Sequence, residues 1–506
     1  MKLGKLIADL NVLDFHADPE MDIKGLAYNS LNVKPGFLFV AIKGNSQNGH
    51  NFMEDAIRNG AVALVGENFK DFNTQIARIK VPDSREALSG IAANFYDHPF
   101  NKINLVGITG TNGKTTTSYV LESILLASGA VPGIIGTVNY RLPGLTLQAP
   151  VTTPESLDLI QILRIMADKG VTHTVLEVSS HALDQKRANG CPFRVVIFTN
   201  LSRDHLDYHQ SMEAYFKAKS LLFRDISKKL PKNFTKAVIN LDDPKGKELA
   251  GLSDFPALTY GLGKNCDIRA DQIHADKNGL TACLKTPSGK LNVRSSLIGT
   301  YNIYNILAAS AAAFCMDIDL KSIAKGIENM KGVPGRLELV KDRTIPTVLV
   351  DYAHTPDALK KALKAVKGIV AGKLITVFGC GGDRDKGKRG KMGRVAGKSS
   401  DFVIVTSDNP RTEDPEAIIA QIEKGIKECG LNNLANNNNR RMHGYIIETD
   451  RKKAIWKAIE MAGKSDLVMI AGKGHEDYQI VGKEKRHFDD REVAIEALNK
   501  FGIRDI

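Results

Sequence analysis

Short continuous apolar runs recur along this chain, and each ends in small or polar residues. Residues 36–42 read as a buried strand, 52–59 as a short helix and 61–65 as a second strand, a small α/β unit. A further run, 103–108, is followed by a glycine-containing loop and then by a helical pattern over about 115–128. The runs 174–178, 194–198 and 237–239 follow, and then 347–350, 374–378, 402–405 and 467–470. Runs of this length without alternation, separated by helical stretches, predict parallel sheets buried on both faces by helices. In such sheets ligands bind outside the carboxyl ends of the strands, so the residues following each run are the ones with candidate chemistry.

Two stretches break the pattern. Asp97-His98-Pro99 reads as a linker, because proline restricts the residue before it, and 332–335 (Gly-Val-Pro-Gly) reads as a second. They divide the chain into 1–98, 99–334 and 335–506. The fold class expected is α/β with three domains: a central parallel sheet of P-loop ATPase type and a C-terminal Rossmann-like domain. The six asparagines within 432–439 are expected to form a solvent loop.

The sharpest local signal is Gly107-Ile108-Thr109-Gly110-Thr111-Asn112-Gly113-Lys114-Thr115-Thr116. Strand, glycine loop and helix in this order are the context of a phosphate-binding loop. Backbone N–H groups freed by Gly110 and Gly113 can converge on anionic oxygens. The helix N-terminus adds positive potential, and Lys114 adds a mobile charge. The Thr115 hydroxyl suits a magnesium ion. The generic pattern asks for glycine at position 108, whereas the glycines here flank it. An ordinary strand–turn–helix corner is the plainer alternative.

Composition narrows the classes. The 506 residues are 43% hydrophobic and 25% charged, suited to about three domains. No apolar run approaches the roughly 20 residues of a membrane span. The first thirteen residues lack the features of a secretion signal. Six scattered cysteines without zinc spacing suit a reducing cytoplasm. The net charge of +12 invites a nucleic-acid reading. Its lysines are dispersed, however, and aromatics are only 6% without basic–aromatic alternation, so no nucleic-acid partner is expected. Highly anionic small molecules are the better match.

Other residues offer chemistry with open alternatives. Glu177 ends a strand and can hold magnesium beside Thr115, or be a satisfied buried carboxylate. His205, in the polar string 200–209, reads equally as a metal ligand or a surface residue. Lys219 lies on a helix before apolar residues and reads as a snorkelling side chain. The amide-rich loop 43–50 reads as a surface cover.

Taken together, the loop 107–117, the string Glu177-Val178-Ser179-Ser180-His181, residues 200–207, Asn302, Asn305, Pro334-Gly335-Arg336 and Asp351-Tyr352-Ala353-His354 resemble the Mur ligases, in that family's order. These are the amide-forming enzymes of peptidoglycan precursor synthesis. The resemblance covers essentially the whole chain. It implies an N-terminal domain for the UDP end of a substrate, a central ATPase domain and a C-terminal Rossmann-like domain. It implies an ATP site at Gly110, Thr111, Asn112, Gly113, Lys114, Thr115 and Thr116, completed by Asn302, Arg336, Asp351 and His354. It implies Mg2+ held by Thr115, Glu177, His205 and a carbamylated Lys219, the carbamate formed from carbon dioxide. The catalytic set is then Lys114, Glu177, His205 and Lys219. For UDP-N-acetylmuramoyl-L-alanyl-D-glutamate it implies Ser30, Asn45, Ser46, Gln47, Thr152, Thr153, Ser180, Gln185 and Arg187, reversing the plain reading of the 43–50 loop. Where the family often has Asp-Ser-Arg, this chain has Asn29-Ser30-Leu31.

The third substrate is read from the last domain. Asp408-Asn409-Pro410-Arg411 looks like the motif of the family branch that adds meso-diaminopimelate, with Arg384, Gly472 and Glu476 matching the remaining positions. Diaminopimelate differs from lysine by a carboxylate at its far end, which Arg411 can meet with a two-pronged ion pair. Lysine would leave that guanidinium desolvated and unpaired, a discrimination that can reach about ten-thousand-fold. The expected activity is ATP-dependent ligation in the cytoplasm by a monomer. The rival readings are another amide ligase of the superfamily such as folylpolyglutamate synthase, a phosphate-loop motor on nucleic acid, and a non-enzymatic nucleotide sensor.

Overall fold

The computed structural model describes the chain except for residues 45–46, 70–75, 225–230, 232, 277–278, 341–343, 435–442, 502 and 505–506. Three main sheets follow one another along the sequence. The first has five strands in the order Asp14–His16, Ala77–Lys80, Ala61–Gly66, Phe37–Val40, Gly25–Ala27. All its pairs are parallel except the first. One face buries Leu38, Val40, Ala63 and Val65 under the helix Ser84–Phe95, and that core continues into Leu157 and Ile160 of the helix Ser156–Asp168. The N-terminal unit is therefore docked on the central one through shared apolar packing.

The central sheet has eleven strands: Gly289–Ser295, Gly279–Thr286, Ile268–Asp276, Ala257–Gly261, Lys236–Asn240, Phe193–Phe198, Asn104–Thr109, His173–Glu177, Pro132–Ile135, Asn139–Leu142 and Leu145–Gln148. From Ile268–Asp276 to Pro132–Ile135 every pair is parallel. Alternate residues feed two cores. Val106, Ile108, Val175, Val195 and Ile197 meet the helices Lys114–Ala127, Asn302–Cys315 and Leu320–Asn329. Leu105, Leu176, Val196 and Phe198 meet Ser156–Asp168 and Met212–Ser220. Burial on both faces is why these strands read as unbroken apolar runs. Both edges carry antiparallel hairpins, 139–148 and 268–295, which the parallel expectation did not include. Their outer positions are exposed, so the apolar signal thins to alternation there.

The third sheet runs Glu338–Leu339, Thr347–Asp351, Leu467–Ala471, Leu374–Phe378, Phe402–Val405, Gly444–Ile447, Asn432–Asn433, parallel except at its first pair. The strand Gly444–Ile447 was not expected. The solvent loop expected over 432–439 is corrected at its start, because Asn432 and Asn433 pair with Gly444 and Tyr445 at the sheet edge. Residues 435–439 lie outside the described part. Helices cover both faces of this sheet as well.

Candidate active site

The strand Asn104–Thr109 delivers the glycine loop to the N-terminus of the helix Lys114–Ala127. Gly110 and Gly113 have φ of +143° and +90°. A side chain at either would also collide, with Thr199 Oγ1 and Asn305 Oδ1 respectively. Glycine is thus required twice, once for conformation and once for space. Asn200, at the end of the next strand, clamps the loop. Its backbone oxygen accepts from Thr111 N at 2.8 Å, its Oδ1 from Asn112 N at 3.0 Å, and its Nδ2 donates to Asn112 O at 2.9 Å. Lys114 Nζ folds back onto the carbonyls of Gly110 and Thr111, at 2.9 and 3.0 Å. Burial lowers its pKa, while Glu177 and Asp204 hold it up.

Glu177 is 1% exposed. Its carboxylate accepts from Thr115 Oγ1 at 3.0 Å, Thr137 N at 3.1 Å and Thr137 Oγ1 at 2.8 Å. Thr137 was not singled out from the sequence. His205, at φ +54°, sits with Nε2 3.4 Å from Asp204 Oδ2, and His354 Nε2 is 3.9 Å from the same oxygen. Burial pushes the His205 imidazole down to about 3 and that of His354 to about 4. Both are therefore neutral rings at working pH.

Lys219 is corrected from a snorkelling side chain to a buried one. It is 1% exposed, donates to Gly110 O at 2.9 Å and lies 4.5 Å from the Tyr215 ring centroid. Burial, then the charge of Lys114, drives its pKa well below that of an ordinary lysine. The hard oxygens of Thr115 and Glu177 suit a divalent cation such as magnesium, and a neutral amine at Lys219 suits capture of carbon dioxide. Among the described residues no group of three or more His, Cys, Asp and Glu side chains forms a cation site. A magnesium ion here would draw on water and phosphate oxygens as well as on side chains.

The third unit reaches into this site. Arg336 Nη2 donates to Thr115 Oγ1 at 3.3 Å, and its guanidinium lies 4.6 Å over the Tyr352 ring. Asp351 is 5% exposed and accepts from Leu337 N and Ala353 N at 2.7 and 2.8 Å. Burial raises its pKa against the pull of Arg336. Asn112 Nδ2 donates to Asp357 Oδ2 at 3.0 Å. Asn302 does not line the cleft. It accepts from Asn305 Nδ2 at 2.7 Å, and Asn305 is the one that faces the loop.

One cleft of about 970 Å³ is lined by the loop from Thr111 to Thr116, Asp204, His205, Arg336, Asp351 and His354, while Glu177 and Lys219 lie buried behind its lining. Thr152, Thr153, Gln185 and Arg187 line it, with Arg187 donating to Gln185 Oε1 and Thr153 O. Ser180 lies behind the lining, 2.9 Å from His209 Nε2. Ser30 and Gln47 belong to the N-terminal unit and do not line this cleft. Asn45 and Ser46 lie outside the described residues. At the opposite end Arg384, Asp408, Asn409, Arg411, Gly472 and Glu476 converge from separate strand ends. Pro410 is absent from the lining. Arg411 has φ +51° and donates to Gly382 O at 2.8 Å. Lys473, fully buried among these groups, was also missed, since a lysine in a loop gives no sign of burial.

Comparison with known proteins gives the following matches. The Mur ligase middle domain model matches residues 108–313, the Mur ligase glutamate ligase domain 335–474, and the Mur ligase family catalytic domain 22–96. A UDP-N-acetylmuramoyl-L-alanyl-D-glutamate--2,6-diaminopimelate ligase of Geobacter metallireducens is 45% identical, over 100% of this chain and 99% of its own. A protein of the same name from Geobacter sulfurreducens is 45% identical over 98% and 99%. A solved structure of such a ligase superposes with a TM-score of 0.68 at 32% identity, covering 99% of both chains.

Proposed function

The chain belongs to the Mur ligase family, and we propose that it ligates meso-diaminopimelate to UDP-N-acetylmuramoyl-L-alanyl-D-glutamate at the expense of ATP, in peptidoglycan precursor synthesis. The observation that supports this most directly is the single cleft. It joins a phosphate loop at one end to Asp408, Asn409, Arg411 and Glu476 at the other. Residues 1–98 serve the UDP end, 99–334 the ATP and 335–506 the amino acid.

The side-chain carboxylate of D-glutamate attacks the γ-phosphorus of ATP, giving an acyl phosphate and ADP. An amine of diaminopimelate then attacks the acyl carbon. The tetrahedral intermediate loses phosphate and a proton, leaving the amide. No protein nucleophile is needed. The loop N–H groups and Lys114 bind the phosphates and offset charge on the transferring group. Arg336 brings a second cation from the third unit to the same place. Neutral His205 and His354 leave Asp204 as the local anion. Thr115, Glu177, His205 and the carbamate of Lys219 would hold Mg2+, whose chemistry is charge neutralisation on the phosphoryl oxygens. Arg187 and Thr152–Thr153 hold the dipeptide carboxylates, together with Ser180 and Gln185 and, at the UDP end, Ser30 and the 45–47 loop. Arg411 and Arg384 take the far carboxylate of diaminopimelate, and Glu476 takes its ammonium. The nucleotide substrates and six unpaired cysteines suit the cytoplasm, and among the described residues no helix is long and apolar enough to cross a membrane.

The test is phosphate release with each component omitted in turn. Release is expected only with ATP, dipeptide nucleotide and diaminopimelate together. Strong turnover without the muramoyl dipeptide or the amino acid would overturn the ligase reading.

A further inference from the structure

The acceptor end of the cleft contains a buried cation to which the mechanism above gives no task. Lys473 follows the strand Leu467–Ala471, and its side chain is fully buried. Its Nζ donates to Asn409 Oδ1 at 3.2 Å and Glu476 Oε2 at 3.3 Å, with Asp408 Oδ1 at 3.9 Å. Burying an ammonium is costly unless it is paired, so three oxygens around it mark a built arrangement.

The geometry of the amide follows from it. Asn409 Oδ1 accepts from Lys473 Nζ and, at 2.9 Å, from Ile480 N. Two donors on one atom fix which way the amide points. Its Nδ2 is thereby directed to Glu476 Oε2, 2.9 Å away. Glu476 Oε2 now takes two donors, and Oε1 takes none from the described residues. The carboxylate is held by one oxygen and presents the other. Asp408, Glu476 and Lys473 together carry one net negative charge, which one ammonium group neutralises.

We propose that Lys473 is a positioning residue for acceptor specificity: it fixes Asn409 and Glu476 so that Glu476 Oε1 meets the far ammonium of the diamino acid. This rests on the reading of diaminopimelate as acceptor. The charged and titratable groups facing Glu476 are Asp408, Lys473, Tyr352, Tyr478 and Arg451. Burial, then Asp408, raises Glu476, while Lys473 opposes. Burial alone would lift Asp408 too, but Lys473, Arg451 and Lys388 outweigh it and hold Asp408 low. Burial lifts both tyrosines above their ordinary range, and Arg451 stays charged. Without Lys473 the cation that opposes burial is gone, so the carboxylate pair keeps a proton to higher pH than in the intact site.

The experiment measures KM for meso-diaminopimelate between pH 6.5 and 9 at saturating ATP and dipeptide nucleotide. It uses wild type, Lys473→Met and Lys473→Arg. Lys473→Met is expected to raise KM at pH 7 about tenfold or more, as loss of one partner from a buried polar network does. The KM should fall back as pH rises, with kcat little changed, and Lys473→Arg should restore a flat profile. Should Lys473→Met not fold, Lys473→Gln keeps a donor for Asn409 without charge and carries the same test. A loss independent of pH, shared by kcat and KM, would overturn the proposal, and so would an unchanged KM. Wild-type turnover without any diaminopimelate dependence would instead overturn the acceptor reading itself.

Discussion

Arg451 and Asp490 form an ion pair with no exposed side-chain surface on either partner. Arg451 Nε and Nη2 meet Asp490 Oδ1 and Oδ2 at 2.7 and 2.6 Å. Each residue opens a helix, Arg451–Met461 and Asp490–Phe501. The guanidinium also donates to Ser407 O at 3.4 Å and Ala471 O at 3.1 Å. Those carbonyls immediately precede Asp408 and Gly472, so one buried cation ties together two of the loops that would read the amino acid. Asp490→Ala leaves that cation buried without its anion, a cost of about 3–5 kcal/mol. In a unit of this size each kcal/mol moves the midpoint by roughly 2–4 °C, giving a fall of roughly 6–20 °C. Arg451→Met should cost a similar amount by orphaning the carboxylate. The double variant Arg451→Met/Asp490→Leu buries no charge and loses mainly the two carbonyl bonds, about 1 kcal/mol each. The singles are therefore expected to be far from additive. Thermal and guanidinium unfolding followed by circular dichroism measure this, with KM for the acceptor rising more than KM for ATP in Asp490→Ala. A single-variant cost below about 1 kcal/mol, or a double equal to the sum of the singles, would refute the reasoning.

Glu177→Gln should cut phosphate release at least about a hundredfold. It should shift the melting temperature little, because an amide oxygen can still accept from Thr137 N while the threonine hydroxyls turn to accept from its NH2. Lys219→Ala should collapse activity, and added short carboxylic acids should restore part of it; no restoration would contradict the carbamate. Glu413 is held at about 2 by its two-pronged pair with Arg389. Its folded pKa lies below the ordinary value, so its contribution is present above about pH 4.5 and is lost as pH falls towards 2. Glu413→Gln should flatten the melting profile across that window and leave it unchanged in shape near pH 7. Small-angle scattering should show compaction when an ATP analogue and dipeptide nucleotide are added together, with the hinge at 332–335. Unchanged curves would count against closure.

The parallel strands of the second and third sheets were legible because burial on both faces leaves unbroken apolar runs. The edge hairpins were not, because half of each strand faces solvent. The phosphate loop was legible because its glycines and Lys114 are local in sequence. Lys219 shows the limit. One residue type on one helix face can snorkel or be buried, and only the fold decides which. Thr137 and Lys473 were missed for a related reason. Each acts on a partner from another strand end, and nothing local distinguishes it from a surface threonine or lysine. Arg336 was found only through family resemblance, since its partner Thr115 lies 221 residues earlier.

The most direct test of the account is the amino-acid dependence of product formation, with meso-diaminopimelate and L-lysine compared under identical ATP and dipeptide nucleotide. The account expects tripeptide nucleotide with diaminopimelate. With lysine it expects a rate lower by about ten-thousand-fold or near that, because Arg411 is left without its carboxylate. Comparable rates with the two amino acids, or product with lysine alone, would contradict it.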